Sequence, residues 1–395
     1  MLFKVITVLC YTKQLQLQLI HELTRNAGPE GSKPLLSAYR HTSSPSHVHF
    51  PAHTTKTLAP LPSLGLQVAS WWLTIVLFAG LHYTNTFKLS AIIDNFGSYL
   101  TVAVVAGDVI TVATYVICRV LKQEHYPSGN VVYDMFMGIW LNPRIGILDL
   151  KMFAEIRISW ILLFAVTAGS AVKQYEDTGH VTTSMMIMVL AHFLYTNACM
   201  KGEECIPTTW DIFHERWGFM LIFWNFAGVP FAYTFQSVFL YFNKPTFEHP
   251  PLAAGLICVV LLVAYYIWDT ANSQKNHFRM KDRGTYIKRH AFPQLPWRTL
   301  DNPSFIQTKQ GNKLLTGGWW AYARKIPYTC DMCMALCWGL TCGFTHFLPY
   351  FYYFFFTGFI THRMIRDQGR CAKKYGKDWD RYTGAVPYIF IPGVI

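Results

Sequence analysis

Long apolar segments recur along this chain, and each comes near the roughly 20 residues that a helix needs to cross the hydrocarbon core of a bilayer. The segments share that length and a low content of charge, and they lie at about 68–86, 98–121, 156–173, 181–199, 217–241, 252–270 and 331–361. Lipid offers no hydrogen-bond partners to a backbone, so a helix is the default spanning structure. With 52% hydrophobic and 14% charged residues, the chain is too apolar for a soluble protein. We therefore predict an all-α, polytopic transmembrane helical bundle of seven or eight spans, with the last segment broken near Pro349.

The positive charge is concentrated late in the chain. Eighteen of the 34 Lys and Arg residues fall between Lys275 and Arg381. By the positive-inside rule this distribution predicts that these loops and the C-terminus face the cytosol. The net charge of +12 is not accompanied by a nucleic-acid recognition motif, so we expect loop charge and no nucleic-acid partner.

Ten cysteines are scattered singly, which argues against a disulfide framework. Four of them, Cys330, Cys333, Cys337 and Cys342, include one Cys-x-x-Cys, but no second pair follows and the surrounding residues are apolar. We expect these thiols to pack as small hydrophobes, and we predict no metal site.

Two parts of the chain differ from the apolar segments. Residues 1–66 combine a short apolar start with a His-, Ser-, Pro- and Thr-rich stretch, which predicts a disordered N-terminal region. Residues 67–395 form the predicted membrane domain. The polar, basic loop between 270 and 330 is too long for an idle linker, so we place a cofactor-binding part at about 270–395.

The end of the 252–270 segment carries a polar stripe. Asp269, Asn272, Lys275, Asn276 and Arg279 recur at helical spacing on one face. The cations are suited to a phosphate, although a helix end whose cations reach the membrane interface explains the pattern equally well.

A second basic face follows the last apolar run. The residues at i, i+3, i+4, i+7, i+8 and i+11 are Arg363, Arg366, Asp367, Arg370, Cys371 and Lys374. Guanidinium groups bind phosphate oxygens bidentately, and Tyr375, Trp379 and Tyr382 offer rings for stacking on a base. The alternative is a basic patch that touches anionic lipid.

Familiar cofactor motifs are missing from the sequence. It contains no GxGxxG after a strand, no Walker loop and no histidine box of the di-iron type. Redox chemistry would therefore need a nicotinamide site that is not of the Rossmann type. Ionisable and phenolic groups within the apolar segments, Tyr233 among them, are costly to bury and are candidates for function.

These segments resemble the sterol reductase family, which includes the C-14, C-7 and C-24(28) reductases and the membrane domain of the lamin B receptor. The similar stretches are LNPRIGILDLKMFAEIR at 141–157, TTWDIFHERWGFML at 208–221, VPFAY at 229–233, QKNHFR at 274–279, LLTGGWW at 314–320, HRMIRDQGRCAKKYGKDWDRY at 362–382 and VPYIFIP at 386–392. The resemblance implies a multi-pass enzyme of the endoplasmic reticulum membrane that uses NADPH on a sterol within the bilayer. It also implies that the NADPH site is formed by Lys275, Arg279, Leu315, Trp320, Tyr328, Arg363, Arg366, Asp367, Cys371, Lys374, Tyr375 and Tyr382.

Two departures from the family pattern narrow the expected substrate. Where C-14 and C-7 reductases usually read R-H-x-N-Y-x-G-D, this chain has Lys325 at the His position and Pro327 at the Asn position. Phe223, Trp224 and Asn225 stand where those branches tend to have a Gly-Asp pair. Both departures resemble the C-24(28) branch. Members of that branch carry further membrane segments before the equivalent of Trp71, so we expect a truncated or altered N-terminus here.

An unactivated double bond has no carbonyl to stabilise hydride addition, so we expect protonation first and hydride addition second. Tyr233 is the predicted proton donor, and Asp367 is predicted to orient the cofactor or relay a proton. A C-14 or C-7 reductase is the alternative within the family. Outside it, a membrane methyltransferase that uses S-adenosylmethionine and a non-catalytic sterol-binding protein stay open.

Overall fold

A computed structural model describes residues 66–394, apart from 147, 203–204, 207–208, 287 and 289–291. The predicted disordered region 1–66 therefore lies, but for Leu66, outside the described residues. The chain divides into two compact units. The first is assigned Met1–Lys173, Thr196–Thr234 and Arg289–Phe292, and the second Gln174–Tyr195, Phe235–Lys288 and Pro293–Ile395.

The described chain is mostly helical, as predicted. Its α-helices are α1 Leu66–Tyr83, α2 Ala91–Asp94, α3 Phe96–Val120, α4 Val131–Met137, α5 Leu150–Phe153, α6 Trp160–Thr178, α7 Thr183–Lys201, α8 Trp210–His214, α9 Phe219–Phe223, α10 Phe235–Asn243, α11 Pro251–Asp282, α12 Ile326–Leu340, α13 Phe351–Tyr375 and α14 Lys377–Ala385. Two π-helical turns, Ala154–Ser159 and Trp224–Ala232, and two 3₁₀ turns, Gly318–Ala321 and Leu348–Tyr350, join some of them. Two antiparallel ribbons qualify the all-α prediction: β1 Arg144–Ile145 with β2 Leu148–Asp149, and β3 Phe305–Gln307 with β4 Lys313–Leu315.

Four helical stretches of the described chain are long and apolar enough to cross a membrane. They are Phe96–Val120, Leu150–Thr178, Thr183–Lys201 and Pro251–Asp282. These four stretches support a polytopic membrane protein, and the total of seven or eight spans stays a prediction. The 217–241 segment is divided because Pro230, which has no N–H to donate, lies in a π-helical turn between α9 and α10. The 331–361 segment is broken as predicted, with the 3₁₀ turn at Pro349 between α12 and α13.

The first unit is anchored by a buried cation. The Lys151 ammonium, fully shielded from solvent, donates hydrogen bonds to the carbonyl oxygens of Leu141 at 3.2 Å, Ile212 at 3.1 Å and Glu215 at 2.7 Å. A buried ammonium is tolerated only where its protons are satisfied in this way. Lys151 therefore holds together segments that are far apart in the sequence.

The second unit contains α11, the longest helix, packed along α12, with α13 against α12 in turn. Pro251 begins α11 at a position where the missing N–H costs no hydrogen bond, and Pro327 does the same in the first turn of α12. The turn of the ribbon β3–β4 is bonded to two helices of this unit. Lys313 pairs with Asp282 at 2.6 Å, and the Lys309 N–H donates to the Asp378 carboxylate at 2.8 Å.

Candidate cofactor site

The polar end of α11 presents two cations, Lys275 and Arg279. The Lys275 ammonium lies 3.9 Å from the centre of the Trp320 ring, over its face. Arg279 has an exposed side chain one turn further on. Within the described residues neither cation is joined to a carboxylate by an ion pair. Two neighbouring cations without a fixed counter-ion are suited to bind the oxygens of a phosphate group.

The GGWW motif brings Trp320 to this helix. Gly318 adopts a φ of +62°, which favours glycine, and a Cβ at this position would overlap the buried side chain of Gln274. The turn lets the Trp319 N–H donate to Gln274 Oε1 at 3.0 Å, and the indole N–H of Trp320 donates to the Ala271 carbonyl at 2.9 Å. Trp320 is thereby buried and fixed against α11, where its face meets Lys275.

An ion pair joins α12 to α13. The ammonium of Lys325, the residue before the first turn of α12, donates a hydrogen bond to Asp367 Oδ2 in the middle of α13. Arg370 donates to the other carboxylate oxygen, Oδ1, at 2.9 Å. Burial by itself raises the pKa of Asp367, but the two cations outweigh it and hold the pKa at about 2. Asp367 is therefore a carboxylate at any physiological pH.

The structure divides the predicted basic face of α13 into two rows. Asp367, Cys371 and Tyr375, at i, i+4 and i+8, are half-buried. The side chains of Arg366, Arg370 and Lys374 are exposed. Burial, followed by the nearby Asp367 carboxylate, raises the pKa of the Cys371 thiol, which keeps it neutral. The half-buried row thus carries one carboxylate, one thiol and one phenol. The guanidinium groups of Arg366 and Arg370 belong to the exposed row.

The C-terminal residues run beside the start of α12 and fix it. The Arg324 guanidinium donates to the carbonyl oxygens of Val386 at 2.7 Å and Pro387 at 3.0 Å. The backbone N–H of Lys325 donates to the Ile389 carbonyl at 2.8 Å. This bond fixes the backbone of Lys325, whose side chain pairs with Asp367. Tyr382, on α14, is buried, and burial raises the pKa of its phenol to about 12.

These contacts bring the central sequence-predicted residues together. Lys275 lies within electrostatic reach of Arg279, Lys325, Asp367 and Cys371, and Arg279 also reaches Tyr375. We call these six residues, Lys275, Arg279, Lys325, Asp367, Cys371 and Tyr375, the charge cluster. All of them belong to the second unit. The cluster has three cations and one carboxylate, so it is an electropositive site with a neutral thiol and a phenol along one wall.

Three other residues predicted for the site, Leu315, Tyr328 and Arg363, also belong to the second unit but are not members of the charge cluster. Leu315 is buried at the end of β4, and Tyr328 is half-buried with the Lys325 ammonium 5.3 Å from its ring centre. The Arg363 guanidinium lies over the Phe359 ring at 4.8 Å, on the aromatic part of α13.

Tyr233, the predicted proton donor, is assigned to the first unit. It is buried, and its hydroxyl oxygen accepts a hydrogen bond from the Trp224 indole N–H at 3.0 Å. The structure thus places the phenol in an apolar, bonded position at the end of a π-helical turn.

Sequence reasoning missed Lys325 as a site residue and treated it only as a departure from a family motif. Little in the sequence indicates a site role for Lys325, because it pairs with Asp367, 42 positions away, through tertiary packing alone. Arg324 and Gln274 were missed for the same reason, since each acts by holding another segment in place.

Comparison with known proteins gives a consistent set of relatives. The profile of the Ergosterol biosynthesis ERG4/ERG24 family matches residues 63–395. The Delta(24(24(1)))-sterol reductase erg4A of Aspergillus fumigatus is 47% identical over 334 residues, which are 84% of this chain and 71% of the relative. The Delta(24(24(1)))-sterol reductase of Gibberella zeae is 45% identical over 330 residues, 82% of this chain and 55% of the relative. The Delta(14)-sterol reductase of Dictyostelium discoideum is 36% identical over 334 residues, 83% of this chain and 69% of the relative.

Proposed function

Because this chain belongs to the ERG4/ERG24 sterol reductase family, we propose that it is an NADPH-dependent oxidoreductase that reduces the C-24(28) double bond of a sterol side chain in ergosterol-type biosynthesis. This exocyclic bond is the one written 24(24(1)) in the names of the two fungal relatives. The observation that carries the cofactor assignment is the charge cluster, in which α11 presents Lys275 and Arg279 beside the Asp367, Cys371 and Tyr375 row of α13.

The residues of the cluster fit a phosphorylated dinucleotide. Lys275 and Arg279 form no ion pair with a carboxylate in the described part of the chain, so a phosphate satisfies them without displacing an existing partner. Trp320 and Tyr375 offer ring surfaces beside these cations, and Leu315 supplies an apolar wall. Asp367 is held anionic by Lys325 and Arg370, so it is suited to accept hydrogen bonds from a ribose hydroxyl or a carboxamide. When bound, NADPH supplies the hydride for the reduction.

The protein itself must carry out the protonation that precedes hydride transfer. Protonation of the methylene carbon C28 gives a tertiary cation at C24, which hydride then quenches. The protein must supply the proton, bring the side chain of the sterol close to the cofactor, and exclude water that would trap the cation. Tyr233 is the donor that we propose from the sequence, and Tyr233→Phe tests it. Full turnover with unchanged cofactor affinity in that variant would remove Tyr233 from the mechanism.

The proposed setting is the endoplasmic reticulum membrane, with several spans and a cytosolic C-terminus. The four long apolar helices support a multi-pass protein, and the basic residues from Lys275 to Arg381 support the orientation. A C-terminal epitope tag should be cleaved by protease added to intact microsomes. Protection of that tag would place the C-terminus in the lumen.

The direct test is turnover by the purified chain in lipid nanodiscs with a 24(28)-methylene sterol. We expect oxidation of NADPH that matches the amount of reduced sterol, with little activity on a C-14 or C-7 alkene. Adding S-adenosylmethionine in place of NADPH separates reduction from methyl transfer. Sterol binding without NADPH oxidation would instead indicate a non-catalytic sterol-binding protein.

A further inference from the structure

A group of stacked aromatic side chains lies beside one acidic residue in the second unit, outside the charge cluster. Asp331, on α12, accepts a hydrogen bond from the Tyr195 hydroxyl at 3.4 Å, and the Trp268 side chain lies beside the same carboxyl group. The rings of Tyr195 and Trp268 stack with their centres 5.0 Å apart. The acid thus has one neutral donor, whose ring is stacked on a second aromatic side chain.

Further rings extend this arrangement. The Trp338 ring meets the edge of Tyr195 at 5.8 Å and stacks on Tyr352 at 5.0 Å. Trp338 and Tyr352 are only 1% and 2% exposed, whereas Asp331 and Trp268 are half-buried, so the cluster has a buried aromatic side and an accessible acid. We call Tyr195, Trp268, Asp331, Trp338 and Tyr352 the aromatic–acid cluster. Two of its members, Tyr195 and Trp268, lie on helices that are long and apolar enough to cross a membrane.

The aromatic–acid cluster shares two helices with the charge cluster. Trp268 precedes Lys275 by two turns on α11, which at 1.5 Å per residue is about 10 Å along the axis. Asp331 follows Lys325 on α12 by about 9 Å along the axis. Since Lys275 is near Lys325 and Trp268 lies beside Asp331, the two helices run antiparallel and carry the two clusters at successive levels. The aromatic–acid cluster therefore lies toward the apolar part of α11, and a bound dinucleotide would have to direct its nicotinamide this way to serve it.

We infer that the aromatic–acid cluster receives the alkene end of the sterol side chain, with Asp331 as the general acid and the rings stabilising the cation that protonation creates. This inference rests on the proposed reduction. Aromatic faces attract positive charge through their quadrupole, and the attraction strengthens where water is excluded. An apolar setting also favours a neutral, protonated carboxyl group before the reaction.

The step balances in atoms and charge. The O–H bond of the Asp331 carboxylic acid breaks and a C28–H bond forms, which leaves a cation at C24 beside the new carboxylate. Tyr195 stabilises that carboxylate by donating a hydrogen bond to it. Bound NADPH would supply the hydride that saturates C24 and would itself be oxidised, and Asp331 would regain its proton from water after the product leaves.

Asp331 and Tyr233 are two candidates for the proton donor, and matched variants distinguish between them. In the purified full-length chain, Asp331→Asn should lower kcat at least about a hundredfold, in the range that general acids contribute, with NADPH affinity unchanged. Tyr195→Phe should lower kcat without changing the KM for the sterol, because Tyr195 positions the acid. The exposed residues Asp301 and Tyr175 supply the controls Asp301→Asn and Tyr175→Phe, which should both be active. An active Asp331→Asn enzyme with an inactive Tyr233→Phe enzyme would overturn the inference.

A binding measurement tests, independently of turnover, whether the aromatic–acid cluster stabilises a cation at C24. The probe is a sterol with a protonated tertiary amine in place of C24, compared with its neutral carbon analogue. The folded wild-type chain should bind the amine at least about tenfold more tightly, as expected for a cation against buried aromatic faces. Asp331→Asn should lose most of that preference. Equal binding of both probes by the wild type overturns the inference even if the reductase activity is confirmed. An amine preference in a chain without reductase activity would refute both the proposed reaction and the role of Asp331 as its acid.

Discussion

The Lys325 ammonium donates a hydrogen bond to the Asp367 carboxylate and so joins the start of α12 to the middle of α13. Both side chains are largely buried, at 12% and 19% exposed, so the pair is screened less than a surface ion pair. It fixes the carboxylate on the wall of the site opposite Lys275 and Arg279.

Acid should weaken this contact in a defined range. The pKa of Asp367 is held at about 2, below the usual value of about 3.9 for an aspartate. The pair therefore contributes stability above about pH 4, and that contribution is lost as the pH falls from about 4 to about 2. We expect Asp367→Asn to lower the Tm at neutral pH and to differ less from the wild type at about pH 3. A Tm difference that is constant or grows on acidification would contradict the assigned ionisation.

Lys275 should contribute to NADPH affinity, because it is a cation with no carboxylate partner among the described residues. Lys275→Met is expected to raise the Kd for NADPH by about tenfold or more, the value of one charge-assisted hydrogen bond. Lys281→Met is the matched control, since Lys281 lies on the same helix but bonds the Leu300 carbonyl. Tryptophan fluorescence titration measures both. Equal Kd values for the two variants would exclude Lys275 from the site.

Gly318 is expected to be needed for the position of Trp320. Gly318→Ala adds a side chain at a φ of +62° and crowds Gln274 and Leu300. Gly311→Ala has the same backbone strain, at a φ of +80°, but meets open space. Both variants should lose about 1 kcal/mol of stability from the backbone, and only Gly318→Ala should also lose NADPH affinity. Equal losses of affinity in the two variants would show that the crowding at Gln274 has no role.

Arg324 should hold the C-terminal residues in place. Arg324 is 9% exposed, and its guanidinium bonds two carbonyl groups of the C-terminal residues. Arg324→Ala is expected to lower the free energy of unfolding by about 2–4 kcal/mol, because two charge-assisted bonds are lost and buried carbonyls are left without donors. Arg381→Ala removes an exposed guanidinium that pairs with Asp378 at 3.5 Å, and since Asp378 keeps its bond from the Lys309 N–H, the loss should be under about 1 kcal/mol. Limited proteolysis should release the tail faster in the first variant only.

The helical character of the chain and the contribution of α11 and α13 to the charge cluster could be predicted from the sequence, because helical spacing places Lys275 with Arg279 and Asp367 with Cys371 without tertiary information. The inward row of α13 could not be predicted, since the spacing fits Arg366 and Arg370 as well as it fits Asp367. The role of Lys325 depends on how α12 packs against α13, and no local pattern encodes that packing. The aromatic–acid cluster could not be predicted for the same reason. Tyr195, Trp268 and Asp331 come from three separate apolar segments, and each of them alone resembles an ordinary residue of a membrane helix.

The central claim is that this chain reduces the C-24(28) double bond of a sterol. The most direct measurement is the sterol profile of cells that lack their own C-24(28) reductase and express this chain. We predict that the 24(28)-methylene sterol disappears and its side-chain-saturated product accumulates, and that Arg279→Gln, expressed to the same level, fails to produce this change. Persistence of the methylene sterol in cells that contain the folded wild-type chain would contradict the claim.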